Sequence, residues 1–216
     1  MERATRGRRP DGGAQGESTV ATSPAGHETL LQAALDAFVE HGYHGTSMRD
    51  IAARAGMSVS ASYYYFPSKR HLLVQIMGRV TRDVIAALEK ARDDAGKDPA
   101  DRLAAIVRAH VLLHTERQAE AFIGSSELRS LAPADRIVAV SLRDRVTAIF
   151  KQVIGDGLRR GVFQCAHRAE ATLAITTMCT AVAGWYRAGG PESPQTIADR
   201  YATLSLRMLG CDAPAR

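Results

Sequence analysis

The sequence predicts an all-α protein: an N-terminal three-helix domain with a helix-turn-helix, followed by a larger helical body. Apolar residues recur at helical spacing through most of the 216 residues. Two short helical segments follow each other across a tight turn between residues 46 and 66. We find no alternating strand pattern longer than a few residues. We therefore divide the chain into residues 1–26, 27–72 and 73–211.

Composition narrows the class of protein. A hydrophobic content of 45% is normal for a globular chain. No apolar run approaches the roughly 18 residues of a membrane span, and no secretory signal is recognisable. Cys165, Cys179 and Cys211 are odd in number and fit no metal motif, which indicates free thiols in a reducing compartment. We expect a cytoplasmic protein without a membrane partner. The net charge of +5 is a mild indication of an anionic partner.

The composition of residues 1–26 predicts a disordered arm, because this stretch is rich in Gly, Ser, Thr and Ala and has almost no large apolar side chains. Four arginines stand close together at its start: Arg3, Arg6, Arg8 and Arg9. Such a basic arm can follow phosphates or enter a minor groove. The alternative, a solvated tail without a partner, is the more common outcome.

The first helix is predicted from Glu28 to His41, with Gly42 at its end. The next is short and amphipathic, with Met48, Ile51 and Ala52 on one face. Its start can be capped by the hydroxyl of Thr46 or of Ser47, because a hydroxyl accepts from an orphan N–H of the first turn. Gly56 ends that helix and Ser58 caps the following one.

The second helix of the pair has small side chains at its front and three consecutive tyrosines at its back. Small residues let a helix N-terminus enter a major groove, while tyrosine hydroxyls and the Lys69 ammonium suit phosphates. The pattern predicts a DNA-binding surface. The alternative is three packed helices that bind no DNA.

Residues 30–76 resemble the DNA-binding domain of the TetR family of bacterial transcriptional regulators. The matching residues are Phe38, Gly42, Thr46, Ile51, Ala52, Ala55, Gly56, Ser58, Tyr63, Phe66, Ser68, Lys69 and Leu72. The resemblance implies a set of DNA-contacting residues on the paired helices and after them: Thr46, Ser47, Arg49, Ser58, Val59, Ser60, Ala61, Tyr63, Tyr64, Tyr65 and Lys69. Ser60 and Ser62 depart from the family, which often has glycine and an aliphatic residue there. Their hydroxyls face either the core or the groove.

Helical patterns fill the rest of the chain. They run from Lys69 to about Arg92, through residues 103–114, from Ala119 to Leu131, from Pro133 to about Arg160, from Arg168 to Arg187, and from Thr196 to Leu209. In the second of these, His110 and His114 are four residues apart and share a face. That spacing also suits a metal, but no third ligand is evident. Such histidines more often line a pocket or sit in a core, so we expect no metal and no cofactor.

Three segments of the body are similar to a subgroup of TetR-family proteins, some of which respond to CoA thioesters from fatty-acid, aromatic or sterol breakdown. They are residues 125–133 (SSELRSLAP), 156–163 (DGLRRGVF) and 184–191 (GWYRAGGP). This resemblance implies a small-molecule effector, with an acyl-CoA thioester favoured. The expected pocket residues are His110, His114, Phe122, Leu142, Val146, Thr176, Met178, Thr180 and Trp185, and the expected anion anchors are Arg129, Arg143 and Arg187. A neutral hydrophobe, with solvated arginines, is the alternative.

The last two helices resemble the dimerisation helices of the family, and Leu204 and Met208 supply apolar area there. A homodimer implies an operator that is an inverted repeat. We expect a repressor that a small hydrophobic effector releases from a palindromic double-stranded DNA operator. A helical small-molecule-binding protein without specific DNA binding is the alternative. An enzyme is not expected, because the chain has no nucleophile elbow and no phosphate-binding glycine loop.

Overall fold

The structure, a computed structural model, describes residues 24–211. The helices are α1 (Pro24–Gly45), α2 (Met48–Arg54), α3 (Val59–Tyr65), α4 (Lys69–Asp94), α5 (Pro99–Glu116), α6 (Gln118–Ser126), α7 (Pro133–Arg159), α8 (Arg168–Trp185) and α9 (Pro194–Met208). A short 3-10 helix, Glu127–Ser130, follows α6. The described range contains no strand, and the all-α prediction is confirmed. No helix within it is long and apolar enough to cross a membrane.

Three predicted boundaries change. Pro24, Ala25 and Gly26, assigned to the disordered arm, form the first turn of α1, whereas the rest of that arm and its arginines lie outside the described residues. The first helix continues past its predicted end to Gly45 after a kink at Gly42, where φ is 73°. The helix predicted from Ala119 to Leu131 divides into α6 and the 3-10 helix.

The N-terminal head is built from α1, α2, α3 and the first turns of α4. Its core is formed by Leu30, Leu35, Phe38, Ile51, Phe66, Leu72 and Leu73 together with smaller neighbours. Ile123 of α6 and Leu131, which follows the 3-10 helix, also enter this core. The head is therefore anchored to the body through α6 as well as through α4.

The body packs α5 against α4, α7, α8 and α9. Its core contains Leu88, Leu103, Ile106, Phe150, Ile154, Ile175, Val182 and Leu206, each almost completely buried. A second set of apolar side chains remains at the surface of α8 and α9: Leu173, Trp185, Leu204 and Met208 are 63%, 50%, 51% and 42% exposed. The single chain leaves this face uncovered.

Candidate DNA-binding surface and effector cavity

The two short helices of the head begin at serine caps. Of the two candidates for α2, Ser47 rather than Thr46 is the cap, and Ser58 caps α3 as predicted. The Ser47 hydroxyl accepts a hydrogen bond from the backbone N–H of Asp50 at 3.2 Å, and the Asp50 carboxylate accepts from the Ser47 N–H at 2.8 Å. This reciprocal capping box satisfies two orphan donors of the first turn. The Ser58 hydroxyl accepts from the Ala61 N–H at 3.1 Å. Gly56 joins the helices with a φ of 67°, which glycine adopts at little cost.

The outer sides of α2, α3 and their cap residues present most of the predicted DNA-contacting side chains. Val59, Tyr63 and Tyr64 are 37%, 50% and 62% exposed. The remaining exposed members of the predicted set are Ser47, Arg49, Ser58 and Ser60, and Ala61 is partly exposed. An exposed apolar and aromatic helix face on a small domain is a surface available for a partner. This availability is what a DNA-reading helix requires.

The structure corrects the expectations for Thr46 and Lys69. Thr46 is buried, and its hydroxyl lies 2.8 Å from the carbonyl oxygen of Gly42 and 3.1 Å from that of Ala37. The Lys69 ammonium donates to the carbonyl oxygens of Tyr43 at 2.8 Å and Thr46 at 2.7 Å. It also lies 4.5 Å from the centroid of the Tyr43 ring. Both side chains hold the end of α1 against the rest of the head, because helix-terminal carbonyls lack intrahelical partners.

Tyr65 and Ser62 also differ from a groove-facing assignment. Tyr65 is half-buried against the head core, and its hydroxyl approaches α1 so closely that a Cβ at Gly26 would lie 2.4 Å from it. Ser62 is completely buried and its hydroxyl donates to the Val59 carbonyl at 2.8 Å. Ser60 is exposed, with its hydroxyl 3.0 Å from that of Ser58. Of the two serines that depart from the family pattern, Ser62 faces the core and Ser60 faces outward.

A cavity of about 600 Å³ lies in the body between α4, α5, α6, α7 and α8. This volume is within the usual range for small-molecule sites. Its wall comprises Val80, Thr81 and Val84 of α4; His110 and His114 of α5; Ala121, Phe122, Gly124 and Ser125 of α6; Arg143, Val146 and Thr147 of α7; and Leu173, Thr176, Thr177, Thr180, Ala181 and Gly184 of α8. Apolar side chains alternate with hydroxyls and imidazoles, as binding an amphipathic molecule requires.

Six of the nine predicted pocket residues line this cavity: His110, His114, Phe122, Val146, Thr176 and Thr180. The other three, Leu142, Met178 and Trp185, do not line it. Leu142 and Met178 pack against the body core. Trp185 is half exposed, with its ring centroid 6.4 Å from that of Tyr201.

Sequence reasoning missed the contribution of α4. Val80 and Val84 are buried on α4, and both line the cavity. Thr81 supplies a hydroxyl beside them, which donates a hydrogen bond to the Met77 carbonyl oxygen at 2.8 Å. A threonine next to an apolar stripe was the one available signal in the sequence.

The two histidines form a buried pair at the cavity wall. Their ring centroids are 4.4 Å apart, and His110 and His114 are 2% and 6% exposed. Burial lowers the pKa of the His110 imidazole well below its ordinary value, and the neighbouring His114 lowers it further. Burial also lowers the pKa of His114, although its contact with the His110 backbone opposes that shift. Both rings are therefore neutral near pH 7.

Hydrogen bonding determines the tautomer of His114. Its Nδ1 lies 2.9 Å from the backbone carbonyl oxygen of His110, and because a carbonyl only accepts, Nδ1 carries the proton. The Nε2 of His114 is then an acceptor. The Nδ1 of His110 is buried without a hydrogen-bond partner among residues 24–211. No group of three or more His, Cys, Asp or Glu side chains in that part of the chain could hold a metal ion.

Of residues 24–211, Arg143 is the one Arg, Lys, Asp or Glu whose side chain lines the cavity. Its guanidinium donates to the backbone carbonyl of Gly124 on α6. In the part of the chain that the structure describes, no Asp or Glu forms an ion pair with it. Burial lowers the pKa of this guanidinium. The other two predicted anion anchors, Arg129 and Arg187, are exposed and lie outside the cavity wall.

An exposed helix-turn-helix on a helical body with an internal cavity defines a class: DNA-binding regulators that respond to a small molecule. Comparison with known families identifies the family. Residues 30–76 match the family described as "Bacterial regulatory proteins, tetR family", and residues 96–209 match "Tetracyclin repressor-like, C-terminal domain". The chain belongs to the TetR family of bacterial regulatory proteins and is a ligand-responsive transcriptional regulator.

Solved structures share this fold. A bacterial regulatory protein of the tetR family from Rhodococcus RHA1 is 33% identical, with a TM-score of 0.83 over 88% of this chain and 99% of that one. AibR, solved in complex with isovaleryl coenzyme A and operator DNA, is 22% identical, with a TM-score of 0.76 over 83% and 97% of the two chains. Among curated proteins, the transcriptional repressor KstR2 of Mycobacterium tuberculosis is 26% identical over 82% of this chain and 89% of its own length. These relatives are transcriptional regulators.

Proposed function

We propose that the protein is a cytoplasmic repressor that binds an inverted-repeat operator as a homodimer and is released when an effector fills the cavity. The observation that carries this proposal is the position of α6. Ala121, Phe122, Gly124 and Ser125 of α6 line the cavity, while Ile123 of the same helix is buried in the head core. One helix therefore contacts both the effector site and the DNA-reading head.

On the DNA side, the exposed residues of α2 and α3 divide into two roles. We assign Ser60 and Ala61, which are solvent-accessible near the start of α3, to base edges in the major groove. To the sugar-phosphate backbone we assign the exposed residues Ser47, Arg49, Ser58, Tyr63 and Tyr64. Val59 supplies apolar contact beside the bases.

For assembly, the exposed apolar side chains of α8 and α9 supply a self-complementary face. Leu204 and Met208 are one turn apart on α9, and the exposed Trp185 of α8 lies beside α9, with its ring centroid 6.4 Å from that of Tyr201. A two-fold dimer through these helices presents two copies of α3 to successive major grooves, about one helical turn or roughly 34 Å apart. The operator is then an inverted repeat.

For the effector, we favour an acyl-CoA thioester over a neutral hydrophobe. The similarity of the body to acyl-CoA-responsive members, the bound isovaleryl coenzyme A of AibR and the basic side chain in the cavity wall support this choice. The acyl group would occupy the apolar part of the cavity, with the phosphates toward its mouth. The effector must bind the non-DNA-binding arrangement of the heads more tightly than the other, since contact alone shifts no equilibrium.

The test begins with an operator selected from random duplexes by the purified protein. Binding to this duplex should weaken steeply with salt, and an inverted repeat should emerge from the selection. A panel of acyl-CoAs, their free acids and unrelated hydrophobic compounds is then added to the complex. Release by a thioester but not by its acid supports the acyl-CoA assignment. A chain that binds a hydrophobic ligand but selects no duplex is instead a helical small-molecule-binding protein.

A further inference from the structure

Within residues 24–211, no Asp or Glu forms an ion pair with the half-buried guanidinium of Arg143. At the opposite end of α6, the half-buried Arg117 forms ion pairs with Asp83 and with Glu120. Among the described residues, the Arg143 guanidinium has one hydrogen-bond partner, the Gly124 carbonyl. A guanidinium has five N–H donors, and removing a cation from water is costly unless an anion or several acceptors replace the water. The cavity is thus a cationic site without its own counter-ion.

The side chains around Arg143 indicate which kind of molecule would carry the negative group. Val80, Val84 and Val146 supply apolar wall, and the neutral pair of His110 and His114 forms the buried polar part of the cavity together with Thr176. Arg143 and Phe122 are more exposed than these residues and lie toward the open side. Charge is therefore accommodated near the mouth, and uncharged groups in the interior.

Building on the proposed effector site, we infer that the effector is an amphiphilic anion whose negative group pairs with Arg143 and whose uncharged part extends toward the histidines. Carboxylate, sulfonate and phosphate oxygens share the required chemistry, because a guanidinium binds each of them through two parallel hydrogen bonds. A free acid and the phosphates of a CoA thioester are two sources of this group. The Gly124 carbonyl occupies one of the five N–H donors of the guanidinium, and the others are available to the anion.

The test uses two fluorescent probes that differ in one charge: 1-anilinonaphthalene-8-sulfonate and the neutral N-phenyl-1-naphthylamine. Each is titrated into the wild-type protein, Arg143→Gln, Arg143→Lys and the control Arg145→Gln, an exposed arginine of the same helix. We expect Arg143→Gln to weaken binding of the sulfonate probe at least roughly tenfold and to leave the affinity for the neutral probe unchanged. The sulfonate affinity of Arg143→Lys should lie between those of the wild type and Arg143→Gln, and the control should match the wild type.

Equal affinity of the sulfonate probe for wild type and Arg143→Gln overturns the inference, as does failure of the wild type to bind that probe. Equal losses for both probes would show that the substitution alters cavity shape rather than charge recognition. A fold check by circular dichroism accompanies each variant.

A second experiment separates the two sources of the anion. It also distinguishes failure of the role of Arg143 from failure of the acyl-CoA proposal. Operator release is measured with dodecanoate, dodecanoyl-CoA and dodecanoyl-pantetheine, which lacks phosphates. Release by dodecanoyl-CoA that is unchanged in Arg143→Gln keeps the acyl-CoA proposal and overturns the role of Arg143. Loss of sulfonate-probe binding without release by any thioester keeps the role of Arg143 and overturns the acyl-CoA proposal.

Discussion

The ammonium of Lys69, at the first residue of α4, donates hydrogen bonds to the backbone carbonyls of Thr46 and Tyr43, at 2.7 and 2.8 Å. Through this contact the start of α4 is tied to the turn between α1 and α2. The same ammonium lies over the Tyr43 ring, which adds a cation–π attraction. The lysine thus stabilises the geometry in which α2 and α3 are presented.

We expect Lys69→Met to lower the free energy of unfolding by about 1–3 kcal/mol, because two helix-end carbonyls lose a charged donor. The salt dependence of operator binding should stay as in the wild type. Chemical denaturation and binding titrations at several salt concentrations measure the two effects. If Lys69 contacts a phosphate instead, the slope of log K against log salt becomes shallower by about 0.9 and stability changes little.

Arg49→Ala is expected to show the opposite combination. Arg49 is exposed on α2 beside the capping box, so its loss should leave thermal stability nearly unchanged. If it contacts a phosphate, the salt slope becomes shallower by about one unit for every operator sequence. A change in base preference without a change in slope would contradict this role.

Ser60→Asn should alter the preferred operator sequence. Ser60 is exposed near the start of α3, and an amide in its place can hydrogen-bond an adenine edge bidentately. Repeating the operator selection with the variant measures the shift, and thermal melting confirms that the head remains folded. Identical selected sequences for wild type and variant would exclude Ser60 from base recognition.

Leu204→Glu is expected to produce monomers with little specific DNA binding. Leu204 is 51% exposed, so a carboxylate there disturbs a subunit interface rather than the core of one chain. Sedimentation at micromolar concentration measures the assembly state, and Ala86→Glu, on the exposed side of α4, is the control. A variant that remains dimeric would move the interface away from α9. A monomeric wild type would remove the dimer model.

The histidine pair predicts that acid destabilises the protein. The folded-state pKa values of His110 and His114 are depressed below the ordinary value near 6.5. The unfolded chain therefore takes up these protons at higher pH than the folded chain does, and unfolding is increasingly favoured as the pH falls below about 6.5. Above that pH the histidines are neutral in both the folded and the unfolded chain, and this loss of stability disappears. The slope is at most about 1.4 kcal/mol per pH unit for each histidine.

His110→Phe should flatten this dependence, because phenylalanine fills the buried site without titrating. Denaturant unfolding at several values between about pH 5 and pH 8 compares the variant with the wild type, and His167→Gln, on an exposed histidine, is the control. Parallel curves for wild type and His110→Phe would show that this imidazole does not titrate on unfolding.

Local signals in the sequence were sufficient for most of the architecture. Serine caps, glycine stops and 3.6-residue periodicity identify the helix pair and the body helices, because each signal acts within one or two turns of backbone. The same periodicity brought His110 and His114 to one face. The family resemblance then follows from residues that are close together in the chain.

The partners of individual polar side chains were decided only by the packing of helices distant in sequence. Lys69 bonds Tyr43 across 26 residues, and the guanidinium of Arg143 bonds Gly124 across 19. A lysine or arginine has the same charge whether it faces a phosphate, a solvent shell or a carbonyl at a helix end. Which of these it meets depends on the rotation and separation of neighbouring helices, and so does the α4 wall of the cavity.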